Sequence, residues 1–209
     1  GSLTVTGAYA DGITSKDGLV VTGGTLTVTA ADDGIRGKDH VVIEAGTVTV
    51  TSGGDGLKSD NETEADSGYV ALLGGTVTVT ARGDGVDAVT DALVGGGTLK
   101  VVAGGGASAK ASDTVSTKGI KAGVNLVVSG GTTTVDASDD ALHANSVVPL
   151  AGGAATLASG DDGVHGEDAL TISDGTWTVT RSTEGLESSH IAVSGGRTEV
   201  TSSDDGLNV

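Results

Sequence analysis

The chain has 209 residues, with 28 Asp and Glu against 11 Lys and Arg and a formal net charge of −17. That balance excludes nucleic acid and anionic membrane as expected partners, since both need a basic footprint, and favours cations instead. Cys, Met and Phe are absent and only one Trp and two Tyr are present, which removes disulfides and thiolate metal sites and leaves a core to be built from Val, Leu, Ile and Ala.

Taken in order, the chain repeats itself. The residue before a corner Gly, or its equivalent, falls at Asp11, Asp33, Asp55, Asp84, Lys118, Asp140, Asp162, Glu184 and Asp205, at intervals of 22, 22, 29, 34, 22, 22, 22 and 21. A second landmark keeps the same period: a Gly-Gly-Thr turn followed by alternating residues, as in Gly23-Gly24-Thr25-Leu26-Thr27-Val28-Thr29 and Gly74-Gly75-Thr76-Val77-Thr78-Val79-Thr80. Alternation of period two predicts strands. A unit of 22 residues is too short to bury its own apolar face, so units must stack. The expected fold is all-β: a right-handed parallel β-helix, or β-solenoid, of about nine coils and roughly 40 Å length at ~4.8 Å per coil.

The first coils, from Leu3 to about Lys58, are regular. Two insertions follow, an acidic one at residues 59–68 and a Gly-rich one at 104–115. Both are expected to bulge from the rod near Asp84 and Asp87, where added loops mark a binding face. From Lys118 the period resumes and the carboxylates double, as Asp139-Asp140, Asp161-Asp162 and Asp204-Asp205. Pro149, the single proline, sits in Val147-Val148-Pro149-Leu150 and removes one ladder donor. No linker is visible, so residues 1–209 read as one domain. Both ends stop inside a repeat without a cap, which points to a segment of a longer protein or to end-to-end association.

Stacking turns the sequence into columns. Ile13, Ile35, Leu57, Val86, Ile120, Leu142, Val164, Leu186 and Leu207 form an inward ladder. Trp177 falls in another inward column between the small residues Ala155 and Thr198, where a space-filling core role is the first reading and a sugar-stacking platform the second. The outward Thr columns, such as Thr25, Thr27 and Thr29, offer a flat hydroxyl face that Lys100, Asp136, Arg197 and Glu199 interrupt.

The Asp column has two readings. An Asp before Gly caps a tight turn, with Gly at φ > 0. Carboxylates stacked ~5 Å apart repel, however, and a cation between them relieves the repulsion. Calcium fits, because it takes six to eight oxygens in tolerant geometry. The candidate metal ligands are Asp32, Asp33, Asp55, Asp84, Asp87, Asp139, Asp140, Asp161, Asp162, Asp204 and Asp205. Three residues past each mark runs a second column that includes Arg36, Lys58, Asp87, Lys121, His143 and His165. Its cations either neutralise the Asp column or, with Lys38, grip acidic sugars. The stacked pair His143 and His165 is a weak transition-metal signal.

The segments Asp32-Asp33-Gly34-Ile35-Arg36-Gly37-Lys38-Asp39, Gly54-Asp55-Gly56-Leu57-Lys58-Ser59-Asp60-Asn61, Gly119-Ile120-Lys121-Ala122 and Asp139-Asp140-Ala141-Leu142-His143 resemble a bacterial carbohydrate-binding parallel β-helix family. It is the clostridial cellulose- and pectin-binding type, and is similar to calcium-dependent pectate lyases. The resemblance implies a secreted or cell-surface protein that binds calcium and plant cell-wall polysaccharide, pectic or cellulosic, without catalysis. Carbohydrate contacts would come from Arg36, Lys38, Lys58, Lys121, His143 and His165. A pectate lyase is the alternative, with Lys121 or Lys58 as base and calcium at Asp55, Asp84 and Asp87. Gly83 stands where the lyase motif has its leading Asp. A structural rod joined through its ends is the third reading.

Overall fold

The computed structural model describes residues 1–111 and 113–209. It is a β-solenoid of nine coils, built from three parallel sheets of nine, nine and eight strands, and no helix occurs among the described residues. Each coil contributes one strand to each sheet, except the last, which has none in the third. In the second coil these are Thr25–Ala30, Ile35–Gly37 and His40–Ile43. Strands of the first sheet run mostly six residues, those of the second and third mostly three or four. We call them the long, corner and third sheets.

The register is the 22-residue period made visible: Leu26 pairs with Val48, Val28 with Val50, Ile35 with Leu57 and Leu19 with Val41. Between its ends the inward ladder is buried, with Ile35, Leu57, Leu142 and Val164 fully so, while Ile13 is partly buried and Leu207 is 56% exposed in the terminal coils. Its width suits β-branched and Leu side chains, and Trp177 is the one aromatic it takes in. Trp177 is buried between Ala155 and Thr198 as the small-neighbour pattern predicts, and its indole N–H donates to the Asp174 carbonyl at 2.8 Å. Pro149 leaves its mark too, since the strand holding it keeps only the Val128 to Leu150 pairing with the preceding coil.

Glycine divides into two jobs. At the turn into the long sheet, Gly24, Gly46, Gly75 and Gly97 adopt φ of 86°, 99°, 79° and 77°, which other residues rarely accept. The corner glycines Gly12, Gly34, Gly56, Gly85, Gly119 and Gly163 do not have positive φ, which corrects the expectation for an Asp-Gly turn. Their constraint is space: a Cβ on Gly34 would lie 2.2 Å from Val50 Cγ1 and 2.6 Å from the Gly56 carbonyl oxygen.

The insertions stand on different edges of the rod. The first joins Leu57–Ser59 of the corner sheet to Tyr69–Leu72 of the third. Buried Asn61 anchors it by donating to Asp39 at 2.7 Å and Glu64 at 3.1 Å, while its Oδ1 accepts from the Thr63 N–H. The second lies between Thr98–Ala103 and Ile120–Ala122. There Asp136 accepts the Ala107 N–H at 2.6 Å, and Arg181, two coils further on, donates to Ser108 at 2.8 Å. Ser112, within the second insertion, lies outside the described residues.

Candidate functional site

The Asp column begins as backbone chemistry. Five of these Asp residues turn one carboxylate oxygen to the backbone N–H of their counterpart on the next coil: Asp11 to Asp33 at 3.3 Å, Asp33 to Asp55 at 2.8 Å, Asp55 to Asp84 at 2.8 Å, Asp84 to Lys118 at 2.7 Å and Asp140 to Asp162 at 3.1 Å. Corner N–H groups that would otherwise go unpaired are thereby satisfied. This is a cap, as the first reading has it, but it acts between coils rather than within one turn.

The second oxygen of each Asp faces the neighbouring column, and cations meet it there. Lys58 Nζ contacts Asp55 and lies 3.6 Å from Asp33 and 3.5 Å from Asp87. Lys121 Nζ lies 3.4 Å from Asp84 and 3.2 Å from Asp87. Lys118, which interrupts the Asp column, reaches Asp140 at 2.6 Å and Asp139 at 3.1 Å. Arg36 pairs with Asp60 and lies 3.7 Å from Asp11. Past Lys121 the cations give way to His143, bonded to Asp140 at 2.9 Å, and His165, bonded to Asp162 at 3.0 Å. Of the six residues expected to hold sugar, Arg36, Lys58, Lys121, His143 and His165 are thus engaged by carboxylates, and Lys38 is exposed.

Acidic clusters are positioned to hold a metal ion. Asp55, Asp84 and Asp87 each bring one oxygen within 4.8 Å of the others, as do Asp11, Asp32 and Asp33, and Asp139, Asp140 and Asp161. Asp204 and Asp205 are exposed in the last coil. The donors are hard oxygens, which suits calcium, but a Lys or Arg nitrogen lies within 3.7 Å of a carboxylate of every one of the three. Asp161 stands out because it is exposed, and its pKa is nonetheless raised, first by partial burial of the group and then by Asp140 and Asp139.

Electrostatics bear on the lyase alternative. Burial works against the charge on Lys121, but Asp87 and Asp84 outweigh it and hold the Lys121 pKa above its ordinary value. The same balance, led by burial and reversed by Asp55, raises Lys58. Both amines are held protonated, the wrong state for a base. His165 is pushed up to about 9, chiefly by its bond to Asp162.

Asp84 gives a pH test. Burial pushes its carboxyl up to about 6, against the pull of Lys121. An acid whose pKa is higher folded than unfolded binds more protons in the folded state, so stability falls as pH rises from about 4 through 6 and stays lower above. In buffer with chelator, Asp84→Asn is expected to shrink the stability difference between pH 4 and pH 8 by roughly 2 kcal/mol. Urea midpoints at the two pH values read this out, and an unchanged difference would place the slope elsewhere.

The columns read from sequence did not include the outer face of the third sheet. Val20, Val42, Ala71, Leu93 and Val127 stack in register on consecutive coils, with Pro149 next in the same row. Their strand neighbours Val41, Ile43, Val70, Leu72, Leu126 and Val128 point inward and are buried, so this row faces out. Val20 is 48% exposed, and Leu73 and Val124 beside the row are 47% and 40% exposed. The first insertion walls this face to form a groove of about 530 Å³, floored by Tyr69, Ala71, Leu93 and Val124 and rimmed by Glu64, Asp66 and Asp91. One face of Tyr69 stacks on His40, with centroids 5.2 Å apart. An apolar patch with a polar rim is the usual mark of an interaction surface.

Residues 1–163 match the family model described as carbohydrate-binding domain-containing protein. No curated protein and no solved structure matches the chain.

Proposed function

The chain belongs to the carbohydrate-binding domain-containing protein family, and from that membership we propose that it is a non-catalytic module for plant cell-wall polysaccharide, bound along the apolar row of the third sheet. The observation that carries this reading is the row itself. A sugar ring has apolar C–H faces and a hydroxyl rim, and the groove offers the complement: Leu93, Val124 and Tyr69 below, with Glu64, Asp66 and Asp91 at the edge to accept hydroxyl protons. The acidic rim, in a chain of net charge −17, favours an uncharged, cellulosic chain over a polyuronate. The lysines that would grip uronates are already neutralised by the Asp column, which also speaks for binding over lyase chemistry. Plant cell-wall polysaccharide lies outside cells, so a secreted or cell-surface location belongs to this reading.

Calcium is part of the proposal at Asp139, Asp140 and Asp161. Partial burial, and after it the neighbouring Asp140 and Asp139, raise the pKa of Asp161; a divalent cation would relieve the carboxylate share of that shift, and one lysine there balances only one of the three charges. Chelation is then expected to lower the melting temperature of the wild type and not of Asp161→Ala, since an ion bound only to the folded state stabilises it by mass action.

The binding test uses insoluble cellulose, a soluble neutral β-glucan and polygalacturonate. Leu93→Asp with Val127→Asp is expected to reduce retention on the neutral polymers at least ~10-fold, the scale of one or two lost apolar contacts, with little effect of salt on the wild type. Polygalacturonate binding that disappears in Lys121→Ala and survives in the Leu93/Val127 variant would move the site to the cation column. Unsaturated products from polygalacturonate would make the chain an enzyme.

A further inference from the structure

The part of the second column that lacks lysine has a geometry of its own. Asp140-Ala141-Leu142-His143 returns 22 residues later as Asp162-Gly163-Val164-His165, and the two histidines pair in register on adjacent strands. Their rings lie edge to face, with centroids 4.9 Å apart and planes at 67°. Each Asp is buried, and the Oδ2 of each accepts the Nδ1–H of its own His, at 2.9 and 3.0 Å. Asp140 is further fixed through its other oxygen, which accepts the Asp162 N–H.

We propose that His143 and His165 are the paired nitrogen ligands of a transition-metal site of the zinc class, with Glu167 as the carboxylate ligand. A carboxylate that holds Nδ1–H fixes the ring's orientation and leaves Nε2 as the nitrogen open to a metal, and metal-bound histidines nearly always have such a partner. Here two rings are held that way on neighbouring strands. The groups now facing the two Nε2 atoms are replaceable. Exposed Asn145 sits 3.0 Å from that of His143, and Glu167, 58% exposed at its side chain, sits 3.7 Å from that of His165. Asn145 and Glu167 each lie two residues past their His, so the carboxylate and both nitrogens arise from one patch of two adjacent coils. Zinc binds imidazole nitrogen at about 2.1 Å and in such sites leaves the remaining positions to water or a ligand, so the exposed Glu167 side chain has to swing in to complete the set.

The chemistry separates this site from the oxygen clusters. Imidazole nitrogen suits zinc, copper or nickel, whereas calcium and magnesium take oxygen. Around the rings Asp140, Asp162, Glu167 and Glu187 outnumber the ammonium of Lys118, which contacts the same Asp140 oxygen as His143 at 2.6 Å. The inference does not depend on the sugar-binding reading, since the column of histidines and the apolar row lie on different sheets.

The test is a calorimetric titration of the full chain, stripped of metal, with zinc and with calcium at pH 8, alongside cobalt(II), whose visible absorption reports nitrogen ligation. One zinc per chain is expected. Affinity should fall at least ~10-fold in His143→Ala, in His165→Ala and in Glu167→Gln, and by a similar factor in Asp162→Asn, which loosens the ring without removing a ligand. Far-UV spectra and urea midpoints confirm that the variants fold, and Glu44→Ala, at an exposed carboxylate in a coil far from the histidines, serves as the control that keeps zinc binding. Zinc binding that survives both His variants, displacement by equimolar calcium, or no zinc uptake by the folded wild type would each overturn the site.

Discussion

Gly34→Ala is expected to lower stability by about 3 kcal/mol, the upper end of the cost of overpacking a core, and Val50→Leu in the same chain is expected to recover part of it. The repeat contains its own control. Where the corner residue is Gly, the inward residue of the next long strand is Val: a Cβ on Gly34 would lie 2.2 Å from Val50, on Gly56 2.2 Å from Val79, on Gly85 2.1 Å from Val101 and on Gly119 2.2 Å from Val135. One coil carries Ala141 at the corner, fully buried, and there the inward residue is Leu157. Leu moves the branch one carbon outward and leaves room for the methyl group. The coil still loosens, since the Leu142 N–H reaches the Gly163 carbonyl at 3.3 Å where the Ile35 N–H reaches Gly56 at 2.9 Å. Rescue at Gly34 is therefore expected to be partial, because the Gly56 carbonyl at 2.6 Å also has to shift. Urea midpoints should rank wild type above the double variant above Gly34→Ala; no loss in the single variant would mean that the corner tolerates a Cβ.

The solenoid was legible because stacking imposes one rule on every coil. The 22-residue interval, the inward columns and the buried Trp177 all follow from translating one coil onto the next. What the corner glycine is for was misread, since the Asp-Gly pair signals a positive φ in a hairpin or turn and here signals a wall of side chains and carbonyls. The apolar row was also written in the sequence, as runs of three apolar residues where a strand with one wet face would alternate: Leu19-Val20-Val21, Val41-Val42-Ile43, Val70-Ala71-Leu72 and Leu126-Val127-Val128. Attention to alternation assigned the outer members of these runs to no face. The cation column was visible as a list of residues, but its pairing was not. Whether Lys58 grips a ligand or sits among Asp33, Asp55 and Asp87 depends on side-chain direction, which spacing leaves open.

Asp140→Ala is expected to cost about 3–5 kcal/mol, the range for breaking one side of a buried ion pair, and to be the most damaging single change in the Asp column. Asp140 is 2% exposed and does three things at once: it accepts the Asp162 N–H, the Lys118 ammonium and the His143 Nδ1–H, at 3.1, 2.6 and 2.9 Å. Its loss strands a backbone donor and leaves Lys118, whose side chain is 16% exposed, with Asp139 as its remaining carboxylate. Lys118→Met removes the charge instead of its partner. Asp140 then keeps the backbone donor and His143, so a loss of about 1.5–3 kcal/mol is expected, the net worth of one charged hydrogen bond. Combining the two should cost less than their sum, because the methionine leaves no buried ammonium to be orphaned; the shortfall, read from urea unfolding of all four proteins, is the coupling between Asp140 and Lys118. A sum that adds without shortfall would show that Lys118 finds water when Asp140 is gone, and that the column is held by its backbone bonds alone.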